Sequence, residues 1–144
     1  MKKIKAIFIM AFVSALFLNA FAGQESNSRK EGNMQTLELT KEWDKVFPKS
    51  EKVLHSKVTF KNRYGITLAA DMYIPKGAKG KLPAIAVSGP FGAVKEQSSG
   101  LYAQTMAERG FLTVAFDPSY TGESGGEPRF VASPDINTED FCAA

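Results

Sequence analysis

LPAIAVSGPFGAVKEQSSGLYAQTMAERGFLTVAFDPSYTGESGG, residues 82–126, reads as strand, glycine loop, helix, strand and a second glycine loop. Residues 83–87 form a short, unbroken apolar run, as expected of a strand covered on both faces by helices. From Gln97 to Arg109 the spacing turns helical, with Tyr102, Ala103, Met106 and Ala107 on one stripe and Gln104, Glu108 and Arg109 away from it. Ser98 or Ser99 can cap the start of that helix, and Gly110 can take the left-handed position past its end. Residues 111–116 are a second continuous apolar strand. Two such strands joined by a helix predict a right-handed βαβ unit with a parallel pair, and hence an α/β fold.

Upstream, from Val53, the period changes to two. Val58 and Phe60 lie on one face and Lys57, Thr59 and Lys61 on the other, which suits a half-buried strand. Residues 62–65 form a turn. Residues 66–74 are rich in strand formers and closed by Pro75, so an antiparallel hairpin is expected, followed by the polar connector KGAKGK at 76–81. Between 34 and 52, Leu37, Leu39, Trp43, Val46 and Phe47 could line a short helix ending before Pro48, with Trp43 as a packing anchor. Residues 23–33, GQESNSRKEGN, contain no large apolar side chain and read as a flexible leader. Downstream, Ser133, Pro134 and Asp135, and then residues 137–140, offer start signals for a helix whose beginning would be DFCAA.

The first 22 residues have the three zones of a secretory signal peptide: Lys2, Lys3 and Lys5, an apolar run from Ala6 to Leu18, and the small-x-small end Ala20, Phe21, Ala22. Cleavage is expected after Ala22, in preference to an uncleaved membrane anchor, because the apolar run is short for a bilayer span. The export segment holds three of the 18 basic residues and none of the 15 acidic ones, so the rest balances at 15 against 15. The basic pI of about 9.0 therefore belongs to the signal, and gives no reason to expect a nucleic-acid or anionic-membrane partner. Cys142 is the only cysteine, which excludes an internal disulfide framework. His55 is the only histidine; with no spaced Cys, Asp or Glu set beside it, it reads as a solvent-facing strand residue, and no metal or cofactor site is expected. The organisation expected is a signal peptide at 1–22, a leader with a possible short helix at 23–52, and one modest domain at 53–144.

PFGAVKEQSSGLYAQTMAERGF and AFDPSYTGESGGEPR resemble the α/β-hydrolase superfamily, in particular its bacterial dienelactone-hydrolase-like and X-Pro-dipeptidyl-peptidase-like branch. They look like that branch's stretch from the third strand to the loop after the fourth, with a looser likeness back to His55 and forward to Ala144. The resemblance implies the N-terminal half of an α/β-hydrolase sheet, an antiparallel hairpin followed by a βαβ unit, and it implies an incomplete one.

In such hydrolases the loop after the third strand supplies one backbone N–H of the oxyanion hole. By similarity that donor is the amide of Phe91, since Pro90 has none. Gly89 departs from the family, whose members commonly carry histidine there, although a backbone donor does not need that side chain. Asp117, with Gly122, Ser124 and Gly125, resembles the family's D-x-x-G-x-G-x-S loop, in which the aspartate is structural and bonds nearby amides. GESGG lacks the spacing of a dinucleotide loop. Its Ser124 mimics a G-x-S-x-G elbow by letter, but Glu127, Pro128 and Arg129 continue a loop where an elbow needs a helix. Cys142, in the final helix, reads as a small buried residue.

His55 precedes the family's late position for the catalytic base, so no complete triad is expected here. The favoured reading is the N-terminal part of an exported ester- or peptide-type acyl hydrolase, inactive alone, acting on a small-molecule or peptide substrate only when completed. The alternatives are a non-catalytic exported binding module, completed by a partner chain or by self-association through an exposed strand edge at residues 84–87, and an unusual hydrolase using Ser124 or Cys142.

Overall fold

Two nine-residue strands, the first half-buried and the second buried on both faces over its first five residues, form a hairpin. In the computed structural model, which describes residues 36–144, β1 (Val53–Lys61) and β2 (Thr67–Pro75) run antiparallel, from Val53 opposite Pro75 to Lys61 opposite Thr67. Asn62 builds the turn between them: its Oδ1 accepts the N–H groups of Tyr64 and Ile66 at 3.1 and 3.0 Å. Gly65 there has φ 81°, a left-handed conformation natural to glycine.

β3 (Ala84–Val87), α1 (Ser98–Glu108) and β4 (Leu112–Phe116) form the expected strand–helix–strand unit, with β3 parallel to β4. β4 pairs antiparallel with β2, giving one mixed sheet in the order β1-β2-β4-β3. α2 (Pro134–Ala143) follows the second glycine loop and starts earlier than DFCAA, with Pro134 in its first turn. Among the described residues no helix is long and apolar enough to cross a membrane. The expected signal peptide, its cleavage after Ala22 and the leader to residue 35 lie outside the described residues.

The sheet has a core on each face. Val53, Tyr73 and Ala115 meet Ala103 and Ala107 of α1, with Trp43 and Val87 packed at the margin. On the opposite face Leu68, Ala70 and Phe116 meet Val58, Phe60, Ile66 and Val114, and Phe141 of α2 stacks edge-on against Phe116 at 4.9 Å. Complete burial of side chains such as Leu68 and Phe116 contributes about 1.5–3 kcal/mol each.

Several expectations are corrected. No helix forms between 36 and 52; the chain there is irregular, because its polar groups find long-range partners instead. Val46 N–H donates to Glu96 O, Ser50 N–H donates to Gln104 Oε1 at 3.1 Å, and Gln104 Nε2 donates to Pro48 O at 3.0 Å. Gln104 is therefore buried, whereas Tyr102, expected on the apolar stripe, is exposed. Trp43 does act as an anchor, edge-on to Phe47 at 5.7 Å and donating its indole N–H to Phe47 O at 2.8 Å. Ser98 and Ser99 lie inside α1, whose N-cap is Gln97 without a side-chain bond. Among the described residues nothing covers the side of β3 that carries Ala84 and Ala86.

Candidate functional site

Because β3 and β4 are parallel neighbours, the loops that follow them leave from the same edge of the sheet, the edge at which open α/β sheets bind ligands. Ser88 Oγ donates to Phe116 O at 3.2 Å and joins the roots of the two loops. The first loop then makes two consecutive turns. Ala93 N–H donates to Pro90 O at 3.0 Å with Gly92 at φ 84°, the pattern of a type II turn, and Gln97 N–H donates to Val94 O at 3.1 Å. Phe91 occupies the second position of the first turn. The residue is 73% exposed, and among the described residues its N–H donates to no acceptor.

The second loop is organised by Asp117, which is fully buried at the end of β4. Its Oδ1 accepts Lys95 N–H at 2.8 Å, and its Oδ2 accepts the Lys95 ammonium at 2.8 Å and Glu123 N–H at 3.0 Å. Gly122, at φ 54°, passes so near that a Cβ there would sit 2.2 Å from Asp117 Oδ2. Ser124 is buried as well. Its Oγ accepts Ala69 N–H at 2.8 Å and donates to Asp117 O at 2.7 Å, prolonging the β2–β4 ladder past the end of β4. The hydroxyl proton of Ser124 thus goes to a main-chain carbonyl, and no helix follows the residue at once.

Behind these loops lies an ion-pair network. The Lys95 ammonium, with none of its side chain exposed, also donates to Glu96 Oε1 at 2.5 Å and Glu123 Oε2 at 2.7 Å. Lys57 reaches Glu123 Oε2 at 2.7 Å and Asp44 Oδ2 at 2.8 Å, while Lys45 reaches Asp44 Oδ1 at 2.5 Å and Asp71 Oδ2 at 3.0 Å. Burial pushes the carboxyls of Asp44 and Glu123 up, but the bonds from Lys45 and Lys57 to Asp44, and from Lys57, Lys95 and Thr40 N–H to Glu123, outweigh it and hold each at about 2. Burial pulls the Lys95 ammonium down, and the charge and hydrogen bond of Asp117 more than reverse it. Asp44, Glu96 and Glu123 offer carboxylate oxygens within 4.8 Å of one another. Lys57 and Lys95 bridge that trio, so each of its carboxylates already faces an ammonium group.

His55 is not solvent-facing: its Nε2 lies 2.6 Å from Asp71 Oδ1, and its ring meets Trp43 and Tyr73. Cys142, expected to be buried, is exposed on α2. Among the described residues neither is joined to the other, or to Ser124, by a hydrogen bond. Lys95, Glu123 and Arg129, which tie these loops together, carry no motif in the sequence. The only hint was the density of charge in KEQ and GESGGEPR.

The X-Pro dipeptidyl-peptidase (S15) family matches residues 64–143, more than half of the 144. An uncharacterised protein of Pseudomonas aeruginosa, PA2218, is 73% identical over 120 residues, covering 83% of this chain and 32% of its own length. The uncharacterised Escherichia coli protein YcjY is 46% identical over 95 residues, covering 63% of this chain and 31% of its own. The chain thus spans about a third of the length of these curated relatives. Its structure resembles the crystal structure of PA2218 with a TM-score of 0.73 at 78% identity, covering 75% of this chain and 34% of that one. It also resembles the α/β hydrolase GrgF of Penicillium sp. sh18, with a TM-score of 0.54 at 29% identity, covering 62% and 30%.

Proposed function

The chain belongs to the X-Pro dipeptidyl-peptidase (S15) family of α/β hydrolases, and from that premise we propose that it carries the charge-stabilising side of an acyl-hydrolase active site. In hydrolysis of an ester or peptide-type bond, a nucleophile adds to the carbonyl carbon and the π electrons move onto oxygen. A main-chain N–H held ready for that oxygen lowers the barrier without reorganising. Phe91 N–H is that donor.

The observation that carries this reading is the unspent N–H of Phe91, in a turn closed by Ala93 N–H on Pro90 O, at the edge where the β3 and β4 loops meet. The commitment of Ser124 to Ala69 and Asp117, and of His55 to Asp71, supports a chain that does not turn over an ester alone. The zones of residues 1–22 support an exported location, periplasmic or secreted, and the even charge of the remainder supports a small-molecule or peptide substrate in preference to nucleic acid. A second reading, a binding module completed by a partner or by self-association, is favoured by the exposed edge of β3, which pairs with β4 alone among the described residues. A concentration-independent monomer in sedimentation would end the self-association form of that reading.

The principal test places residues 36–144 in a chimera with the remaining two thirds of PA2218 and measures hydrolysis of p-nitrophenyl esters. Phe91→Pro removes the N–H from a turn position that suits proline, and is expected to lower kcat by about 10²–10³ with KM little changed. Phe91→Ala keeps the N–H and is expected to keep kcat. An unchanged kcat in Phe91→Pro would refute the assignment.

A further inference from the structure

The turn that presents Phe91 N–H is tied to the sheet and its loops at two places. At its root Ser88 Oγ donates to Phe116 O, and past its end the Lys95 ammonium, with none of its side chain exposed, holds Glu96, Asp117 and Glu123. Between those ties, among the described residues, no hydrogen bond joins residues 89–93 to the loop after β4. Pro118 and Thr121 meet the turn only across a gap of about 30 Å³, room for little more than a water molecule. The place of the Phe91 N–H relative to β4 is therefore set from the two ends of the loop, and at one of them the hold is ionic.

Glu123 locks that ionic end. Its Oε2 accepts the Lys95 and Lys57 ammonium groups, each at 2.7 Å, its Oε1 accepts Thr40 N–H at 2.7 Å, and its own N–H donates to Asp117 Oδ2 at 3.0 Å. No other described carboxylate accepts a hydrogen bond from both lysines: Glu96 Oε1 is bonded to Lys95 but lies 3.7 Å from Lys57, and Asp44 meets Lys57 without Lys95. One side chain thus gathers the segment before Trp43, β1, the β3 loop and the β4 loop. None of these contacts depends on how much of the surface meets solvent.

We propose that Glu123 is a positioning residue for acyl transfer: by fixing the Lys95 ammonium it holds the Phe91 turn at the spacing from β4 at which its N–H meets the carbonyl oxygen. The carboxylate acts through Lys95 and the turn, not on the reacting atoms, and the role rests on the donor role given to Phe91 above. An anion is required at this point. A glutamine would offer one acceptor oxygen to two ammonium groups and a main-chain N–H, and would turn its own donor toward whichever is left, so that Lys95 loses either its partner or its place. A donor misplaced by about 1 Å can cost about 100-fold in rate.

The test adds Glu123→Gln and Glu123→Asp to the PA2218 chimera, at a temperature at which circular dichroism shows each variant folded. Glu123→Gln is expected to lower kcat about tenfold or more with KM within about threefold of the parent, and Glu123→Asp, which keeps the charge, to recover part of that loss. In the Phe91→Pro background Glu123→Gln should lower kcat by less than about a further twofold, since a donor already absent cannot be misplaced, whereas damage unrelated to Phe91 would multiply. In the full chain, isotope-labelled, the milder Glu123→Asp should move the backbone amide signals of residues 91–93, none of which is hydrogen-bonded to Glu123. An unchanged kcat in Glu123→Gln, a loss that multiplies with that of Phe91→Pro, or amide signals at 91–93 that stay in place would overturn the positioning role. Indifference of the chimera to Phe91→Pro would remove the donor and this role with it, whereas sensitivity to Phe91→Pro but not to Glu123→Gln would remove the positioning role alone.

Discussion

Lys95 meets Asp117 twice, its backbone N–H on one carboxylate oxygen and its ammonium on the other, both at 2.8 Å. One residue of the β3 loop thereby fixes the first residue after β4, and the same ammonium holds Glu96 and Glu123. Lys95→Met would leave three carboxylates facing one another without it. The expected loss is about 3–5 kcal/mol, as for a buried pair deprived of one partner, read from urea unfolding. Lys95→Arg should recover part of it, and an unchanged midpoint in Lys95→Met would show the network to be dispensable.

Gly122 and Gly65 both have positive φ, but only Gly122 is crowded. A Cβ at 122 would collide with Asp117 Oδ2, whereas one at 65 meets nothing within 4 Å. Gly65→Ala should cost about 1 kcal/mol from backbone alone. Gly122→Ala should cost at least about 2 kcal/mol, because the carboxylate it displaces is bonded to Lys95 and Glu123. Paired melting curves of the two variants check the difference.

Acid should loosen the attachment of residues 40–47. Asp44 and Glu123 titrate at about 2 in the folded chain against 3.8 and 4.5 ordinarily. The stability they contribute is complete above about pH 4.5 and disappears as pH falls toward about 2. Asp44→Asn should be less stable than the parent at pH 7, and should lose less than the parent between pH 5 and 2.5. Parallel pH profiles of the two unfolding midpoints would contradict this.

Ser124→Ala removes an acceptor from Ala69 N–H in a buried setting, for an expected loss of about 1–3 kcal/mol. In the chimera its kcat should stay within a few-fold of the parent at temperatures where both are folded. Abolished turnover in a folded Ser124→Ala protein would instead point to this serine as nucleophile.

The strand pattern was readable because burial imposes a period: Val58 and Phe60 face one way, and residues 112–116 have no polar break except Thr113. That threonine is hidden by donating its hydroxyl to Ala103 O at 2.8 Å. Asp117 could be placed at a strand end for the same reason. Its partner could not. Lys95 looks like any charged loop residue, and what buries it are carboxylates 22 and 28 positions away. His55 and Gln104 escape a local reading in the same way, since the sheet and the 48–50 segment bring them partners that are distant in sequence. Local periodicity reports which side of an element is apolar; it carries no record of distant ionic neighbours.

The bend from Pro90 to Ala93 is defined by a single main-chain hydrogen bond and one left-handed glycine. A peptide nitrogen has no side chain to vary, so drift at position 91 to anything but proline leaves the N–H in place while remodelling whatever surrounds it. Ancestry could then exchange the wall of such a chamber, histidine for glycine or one aromatic for another, without disturbing the dipole inside it, provided that the curvature itself was inherited.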